Sequence, residues 1–111
     1  MPFSKQLMKG VTETIVLHSI NQLGEAYGYQ LAQAIKEQGG GILEMQEGTL
    51  YPLLYRLEDK DLVKSIIKQA PSGKNRRYYS LTAKGKKLLV ENKQELKSFF
   101  LGVRGALNLS V

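Results

Sequence analysis

The chain has 111 residues, 42% of them hydrophobic and 23% charged. Those proportions suit one small folded domain with a modest core and exclude a disordered, charge-rich tail. There is no cysteine, so neither a disulfide framework nor a thiolate metal site is available. No apolar run approaches the length that crosses a bilayer, and "MPFSKQLMKG" at the amino terminus lacks an uninterrupted apolar stretch. The expectation is a cytoplasmic protein with no membrane partner.

In chain order, residues 4 to 23 read as a first helix, with Met8, Val11, Ile15, Leu17 and Ile20 apolar and polar residues between them. Gly24 and Gly28 interrupt that pattern. A short second helix follows from Tyr29 to Gln38, with Leu31, Ala34 and Ile35 as its inner stripe. "GGG" at 39 to 41 is a loop, and "ILEM" at 42 to 45 is expected to form one brief strand. The third helix runs from residue 47 to Lys60, where Leu50, Leu53, Leu54 and Leu57 recur at i, i+3, i+4 and i+7. Leu62 to Ala70 and Arg76 to Thr82 are rich in β-branched and aromatic residues, and "PSGKN" between them is turn chemistry, so the pair predicts a hairpin. Thr82 reads as the N-cap of a long terminal helix that carries Leu89, Leu96 and Val103 one heptad apart beside Phe99, Phe100 and Leu107.

Three helices, a hairpin and a final helix make a mainly α chain with a small β-hairpin. The order is that of a winged helix-turn-helix over residues 1–82, followed by a long carboxy-terminal dimerisation helix over 83–111. Charge is distributed to match. Lys64, Lys68, Lys74, Arg76, Arg77, Lys84, Lys86 and Lys87 lie between residues 64 and 87 with no acidic residue among them, while the net charge of the whole chain is only +6. A basic zone on a nearly neutral body is the footprint of a polyanion partner, and a hairpin with Lys74, Arg76 and Arg77 at or beside its turn can follow a phosphate backbone.

The third helix has the reading position in such a fold, because the DNA major groove is wide enough to admit a helix. At 100° per residue, the face opposite its four leucines carries Gly48, Pro52 and Tyr55, flanked by Thr49, Tyr51 and Arg56. Gly48 and Pro52 keep that face slim; Tyr51 and Tyr55 can reach phosphates, sugars or thymine methyls. The amino end of the helix favours phosphate through its free N–H groups and dipole, whereas Glu58, Asp59 and Asp61 at the other end repel it. With a cap at Thr49 or slightly earlier, the missing N–H of Pro52 has at most a modest cost. On the wing, strand alternation separates Arg77 and Tyr79 from Arg76 and Tyr78, so one tyrosine is expected to anchor the wing and the other to be more exposed.

"GYQL" at 28 to 31, "EGTLYPLLYRLEDKDLV" at 47 to 63 and "RRYYSLTAKGKKLL" at 76 to 89 resemble the PadR family of bacterial winged-helix transcriptional regulators, over residues 8 to 90. The resemblance implies a homodimeric DNA-binding regulator, usually a repressor, in the short subfamily with a single terminal helix. By motif position it implies that Thr49, Tyr51 and Pro52 start the recognition helix, that Tyr29 belongs to the second helix, and that Lys74, Arg76 and Arg77 form the wing. Asp61 departs from the glycine usual in the turn after the recognition helix, and Thr12 and Thr14 stand at positions that are commonly apolar.

The expected partners are double-stranded DNA and a second copy of the chain. Leu89, Leu96, Phe99, Phe100, Val103 and Leu107 form a seam too apolar to leave in water, and a symmetric pair would bury it. Two-fold symmetry predicts an inverted-repeat operator with half-sites one helical turn, about 34 Å, or a multiple apart. Some family relatives hold flat aromatic drugs between terminal helices with paired tryptophans. This chain has no tryptophan, so Phe99 and Phe100 are favoured as interface core over the lining of a pore for a small aromatic effector. Catalysis would need a placed acid, base or nucleophile; His18 is the only histidine, and "GGG" lacks the spacing of a phosphate loop. No enzyme, metal or cofactor is expected. The contrasting reading is a winged-helix module that binds another protein without reading DNA sequence.

Overall fold

A computed structural model describes Ser4 and residues 8–110. Its elements are α1 (Thr12–Leu23), α2 (Gly28–Gln38), α3 (Glu47–Asp59), β1 (Val63–Gln69), β2 (Asn75–Leu81) and α4 (Ala83–Ala106). The first helix was expected from residue 4. Among the described residues a turn at 9–11 separates Met8 from α1; residues 5–7, within the expected span, lie outside the described residues.

Val16, Leu17 and Ile20 of α1, Leu31 and Ile35 of α2 and the whole leucine stripe of α3 meet in one core. Val63, Tyr79 and Leu81 close it from the hairpin, and Leu89 closes it from α4. Each buried leucine of the stripe gains about 1.5–3 kcal/mol by leaving water, which is why the i, i+3, i+4, i+7 spacing sets the orientation of α3.

The strands pair antiparallel, Val63 with Leu81 through Gln69 with Asn75. The other edge of β2 is occupied by Ala26, whose N–H donates to the Tyr79 carbonyl (3.0 Å) and whose carbonyl accepts from the Tyr79 N–H (2.8 Å). That pairing bears on residues 42–45, which were expected to form a brief strand. Residues 42–45 form no strand, because a strand needs a ladder partner and this edge of β2 is already taken; Met45 is buried instead and Ile42 faces solvent.

The junction of α3, wing and α4 is tightly knit. Asp61 has φ 61°, a left-handed conformation, and around it the Asp61 N–H donates to the Glu58 carbonyl (2.9 Å) and the Leu62 N–H to the Leu57 carbonyl (2.9 Å). This is the Schellman ending of a helix, in which the left-handed residue is usually glycine. Thr82 caps α4 as expected, accepting from the Gly85 N–H at 3.0 Å, and its hydroxyl donates to the Asp61 carbonyl at 2.7 Å. A Cβ on Gly85 would lie 2.0 Å from the Leu62 carbonyl oxygen, so α4 can start here only with glycine.

Candidate nucleic-acid interface

Helix α3 begins after Gln46, three residues before Thr49. Pro52 is therefore the sixth residue of α3, beyond the four N–H groups that lack helical partners. Its ring removes the hydrogen bond that would reach the carbonyl of Gly48, so its cost is larger than a first-turn proline would carry.

Gly48, Thr49, Pro52, Tyr55 and Arg56 are all solvent-exposed, as helical projection requires. Tyr51 is not. Its ring is half-buried and stacks on Tyr55 (centroids 6.4 Å apart, 28° between planes), and its hydroxyl end lies so close to the second helix that a Cβ on Gly28 would be 2.6 Å from Tyr51 Oη. Burial, with Glu47 and Tyr55 adding to it, raises the Tyr51 pKa and keeps the phenol protonated. Tyr51 thus holds α3 against the start of α2. Tyr29, one residue after Gly28, is 53% exposed.

The wing's two arginines point to opposite faces, as alternation demands. Arg76 stacks over Tyr27, its guanidinium carbon 4.5 Å from the ring centroid. Tyr27 meets Tyr78 edge to face at 5.4 Å, and Lys68 lies over Tyr78 at 4.6 Å while pairing with Glu25. Arg76 is also close enough to favour the ionised form of Tyr51, which brings wing, α2 start and α3 together. On the other face Arg77 donates from Nη1 to Ser65 Oγ (3.0 Å), and Ser65 donates to Glu58 (2.7 Å). Lys74 alone of the three stands in the turn itself, beside Gly73 at φ 90°.

Tyr79 is the anchor and Tyr78 the more exposed of the two wing tyrosines, though at 8% against 1% both are buried. Tyr79 is only 1% exposed in the core, and Tyr78 is buried beneath Tyr27 and Lys68. Burial first, then neighbouring Tyr55 and Glu58, pushes the Tyr79 pKa up to about 12, and its hydroxyl has no hydrogen-bond partner among the described residues. The packing roles of Tyr27, Gly28 and Lys68 could not be read from the sequence because they depend on Tyr78 and Arg76, on Tyr51 and on Glu25, each more than 20 residues away. The one local trace is the bond from the Tyr27 N–H to Gln30 Oε1 (3.1 Å), a residue-and-three spacing that marks a helix start.

In α4, Leu89 is taken into the protein's own core at 4% exposure. Leu96 and Val103 are half-exposed, while Phe99 (62%), Phe100 (57%) and Leu107 (66%) face solvent. His18 is partly buried, with Lys93 Nζ 3.4 Å from Nδ1; burial and then Lys93 lower its pKa, so it is neutral near pH 7. Among the described residues no group of acidic or histidine side chains could hold a metal ion, and no helix is long and apolar enough to cross a membrane.

The profile of the transcriptional regulator PadR-like family matches residues 16–91. The chain belongs to the PadR-like family. A PadR-like transcriptional regulator from Bacillus cereus is similar in structure, with 35% identity, TM-score 0.78, and 92% of this chain and 96% of that one covered. A Streptococcus transcriptional regulator has 35% identity and TM-score 0.79, covering 93% and 98%. A protein of Lysinibacillus sphaericus is 31% identical over 85 residues, 77% of each chain. The PadR-like chain is thus a winged-helix DNA-binding transcriptional regulator and not an enzyme.

Proposed function

We propose that this PadR-like regulator is a homodimeric repressor that binds an inverted-repeat operator, with α3 of each protomer in the major groove and the wing on the adjacent backbone. The observation that carries the dimer is the outer half of α4. Leu96, Phe99, Phe100 and Val103, with Leu107 at the C-cap, form one seam along the outer half of a helix whose 24 residues span about 36 Å. A second copy packed on this seam removes it from water. Leu89, already in the core, lies inside the protomer end of that seam.

In the groove, Gly48, Thr49, Pro52, Tyr55 and Arg56 would face the bases and their flanking phosphates, with Tyr29 beside them. Tyr51 supports their placement from behind, and Lys74, Arg76 and Arg77 supply sequence-independent affinity. Phe99 and Phe100, with centroids 6.3 Å apart, are assigned to the interface core. An aromatic effector seated between them would have to release the protein from DNA, and a dye panel producing neither a thermal shift nor release removes that idea.

Selection of bound duplexes from a random library at physiological salt tests the proposal directly, beside sedimentation of the free protein. The expected result is a dimer and a palindromic sequence. Unbiased sequence would leave charge-driven binding only and favour the protein-binding winged module.

A further inference from the structure

Lys68, Arg76 and Arg77 of the wing are restrained by different chemistry. Lys68 pairs with Glu25, and Arg77 donates to Ser65. For Arg76 the structure gives a ring instead: its Nε is enclosed with no hydrogen-bond partner among the described residues, and its guanidinium lies over Tyr27. A carboxylate or hydroxyl beside an arginine occupies N–H donors, and a carboxylate cancels the charge as well. An aromatic face restrains the guanidinium and leaves its charge and its in-plane donors for another acceptor. The ring is itself fixed. Tyr27 stands at the N-cap of α2, with its N–H donating to Gln30 Oε1; the neighbouring Ala26 pairs with Tyr79 through two backbone hydrogen bonds, and the edge-to-face contact with Tyr78 orients the ring.

We infer that Tyr27 is a positioning residue for DNA binding: its ring holds the Arg76 guanidinium, before DNA arrives, in the place where it takes a backbone phosphate. The inference rests on the proposed docking of the wing along the backbone, and it assigns to Tyr27 an effect exerted through Arg76. A planar guanidinium meets phosphate oxygens with paired N–H donors, and a side chain already immobilised loses less freedom on binding. Releasing Arg76 from its ring should therefore weaken binding by about threefold in each half-site, and by about tenfold across an operator of two half-sites. The charge is unaltered by that release, so the number of phosphates neutralised stays the same.

Titration of the operator recovered by selection, at several salt concentrations, tests this. Tyr27→Leu should lose about tenfold in affinity and keep the wild-type salt slope, Tyr27→Phe should bind like wild type, and Arg76→Ala should lose affinity and slope together. In the Arg76→Ala background Tyr27→Leu should cost nothing further, which a merely structural role for the ring would not produce. Because Tyr27→Leu also gives up the contact with Tyr78, a phenylalanine at position 27 bearing successively more ring fluorines supplies a second series of nearly unchanged shape. Affinity should fall stepwise as the ring face loses its negative character, and only while Arg76 is present. Equal losses with and without Arg76, or wild-type binding by Tyr27→Leu and by the fluorinated series, would overturn the assignment and leave DNA docking intact. Wild-type affinity and salt slope in Arg76→Ala would take the wing off the backbone and sink the docking model and this inference together.

Discussion

Asp61 is the residue whose replacement should improve the fold. At φ 61° it occupies the left-handed position that ends α3, where an L-residue bears about 1–2 kcal/mol of steric cost, less for aspartate than for most. Glycine removes that cost but gives back part through its freer unfolded chain, about 0.4–1 kcal/mol. A carboxylate at a helix carboxy end adds about 0.3–1 kcal/mol of unfavourable dipole interaction. Asp61→Gly should therefore stabilise by about 1 kcal/mol and raise Tm by about 4 °C for a domain of this size. Both Schellman hydrogen bonds use backbone groups and survive the change. Calorimetry at one fixed protein concentration checks it, since a dimer's Tm depends on concentration. Asp61→Asn is the control: it removes the charge and keeps the left-handed side chain, so it should gain only a few tenths of a kcal/mol. If Asn gains as much as Gly, or Gly gains nothing, backbone conformation is not the cause.

Other outcomes follow from the same geometry. Gly85→Ala drives a methyl into the Leu62 carbonyl, a backbone atom that cannot swing aside, and should lower stability in chemical denaturation by about 1–3 kcal/mol or more. Tyr79→Phe removes a buried hydroxyl without a partner and should leave stability unchanged or higher by about 1 kcal/mol. Because the folded Tyr79 pKa lies near 12, above the ordinary 10.0, its contribution is complete below pH 10 and lost as pH rises toward 12; Tyr79→Phe should flatten alkaline denaturation in that window. Phe100→Glu in the exposed seam should convert a sedimenting dimer to monomer and weaken operator binding. Lys74→Ala and Arg77→Ala should weaken specific and non-specific DNA binding alike and reduce the salt slope by about one each, whereas Arg76→Ala should also lower Tm through loss of its stacking on Tyr27.

What the sequence made legible is what local chemistry determines. The leucine stripe, the "PSGKN" turn and the Thr82 cap each encode their structure within a few residues, and together they place α3, the wing and the start of α4. The pairing of Ala26 with Tyr79 joins positions more than fifty residues apart, and nothing in "GEAYG" announces a strand edge. For that reason residues 42–45 looked like the spare strand. Glycine misled in a similar way. Gly28 and Gly85 read as punctuation or went unremarked, but each is small because a distant group lies on it: the Tyr51 ring in one case and the Leu62 carbonyl in the other. The tyrosines were legible as a set and not in their roles, since period-two alternation assigns faces without saying that Tyr27 covers one face and the core the other.

The junction after α3 has a consequence for how two half-sites would be measured. Lys84 Nζ donates to the Lys60 carbonyl at 2.9 Å, Thr82 donates to the Asp61 carbonyl, and Gly85 rests on Leu62. The end of α3 and the beginning of α4 are therefore one structural unit, tied at the backbone carbonyls of residues 60–62. If the outer half of α4 forms the dimer seam, the angle between α4 and α3 sets the distance between the two reading helices. Few soft contacts are available at this joint to absorb a change in that distance. Operators differing in half-site spacing by one base pair displace the second half-site by about 3.4 Å and rotate it by about 36°. A unit this tightly tied should reject them, and a regulator that accepted both spacings equally would have to bend within the outer half of α4 instead.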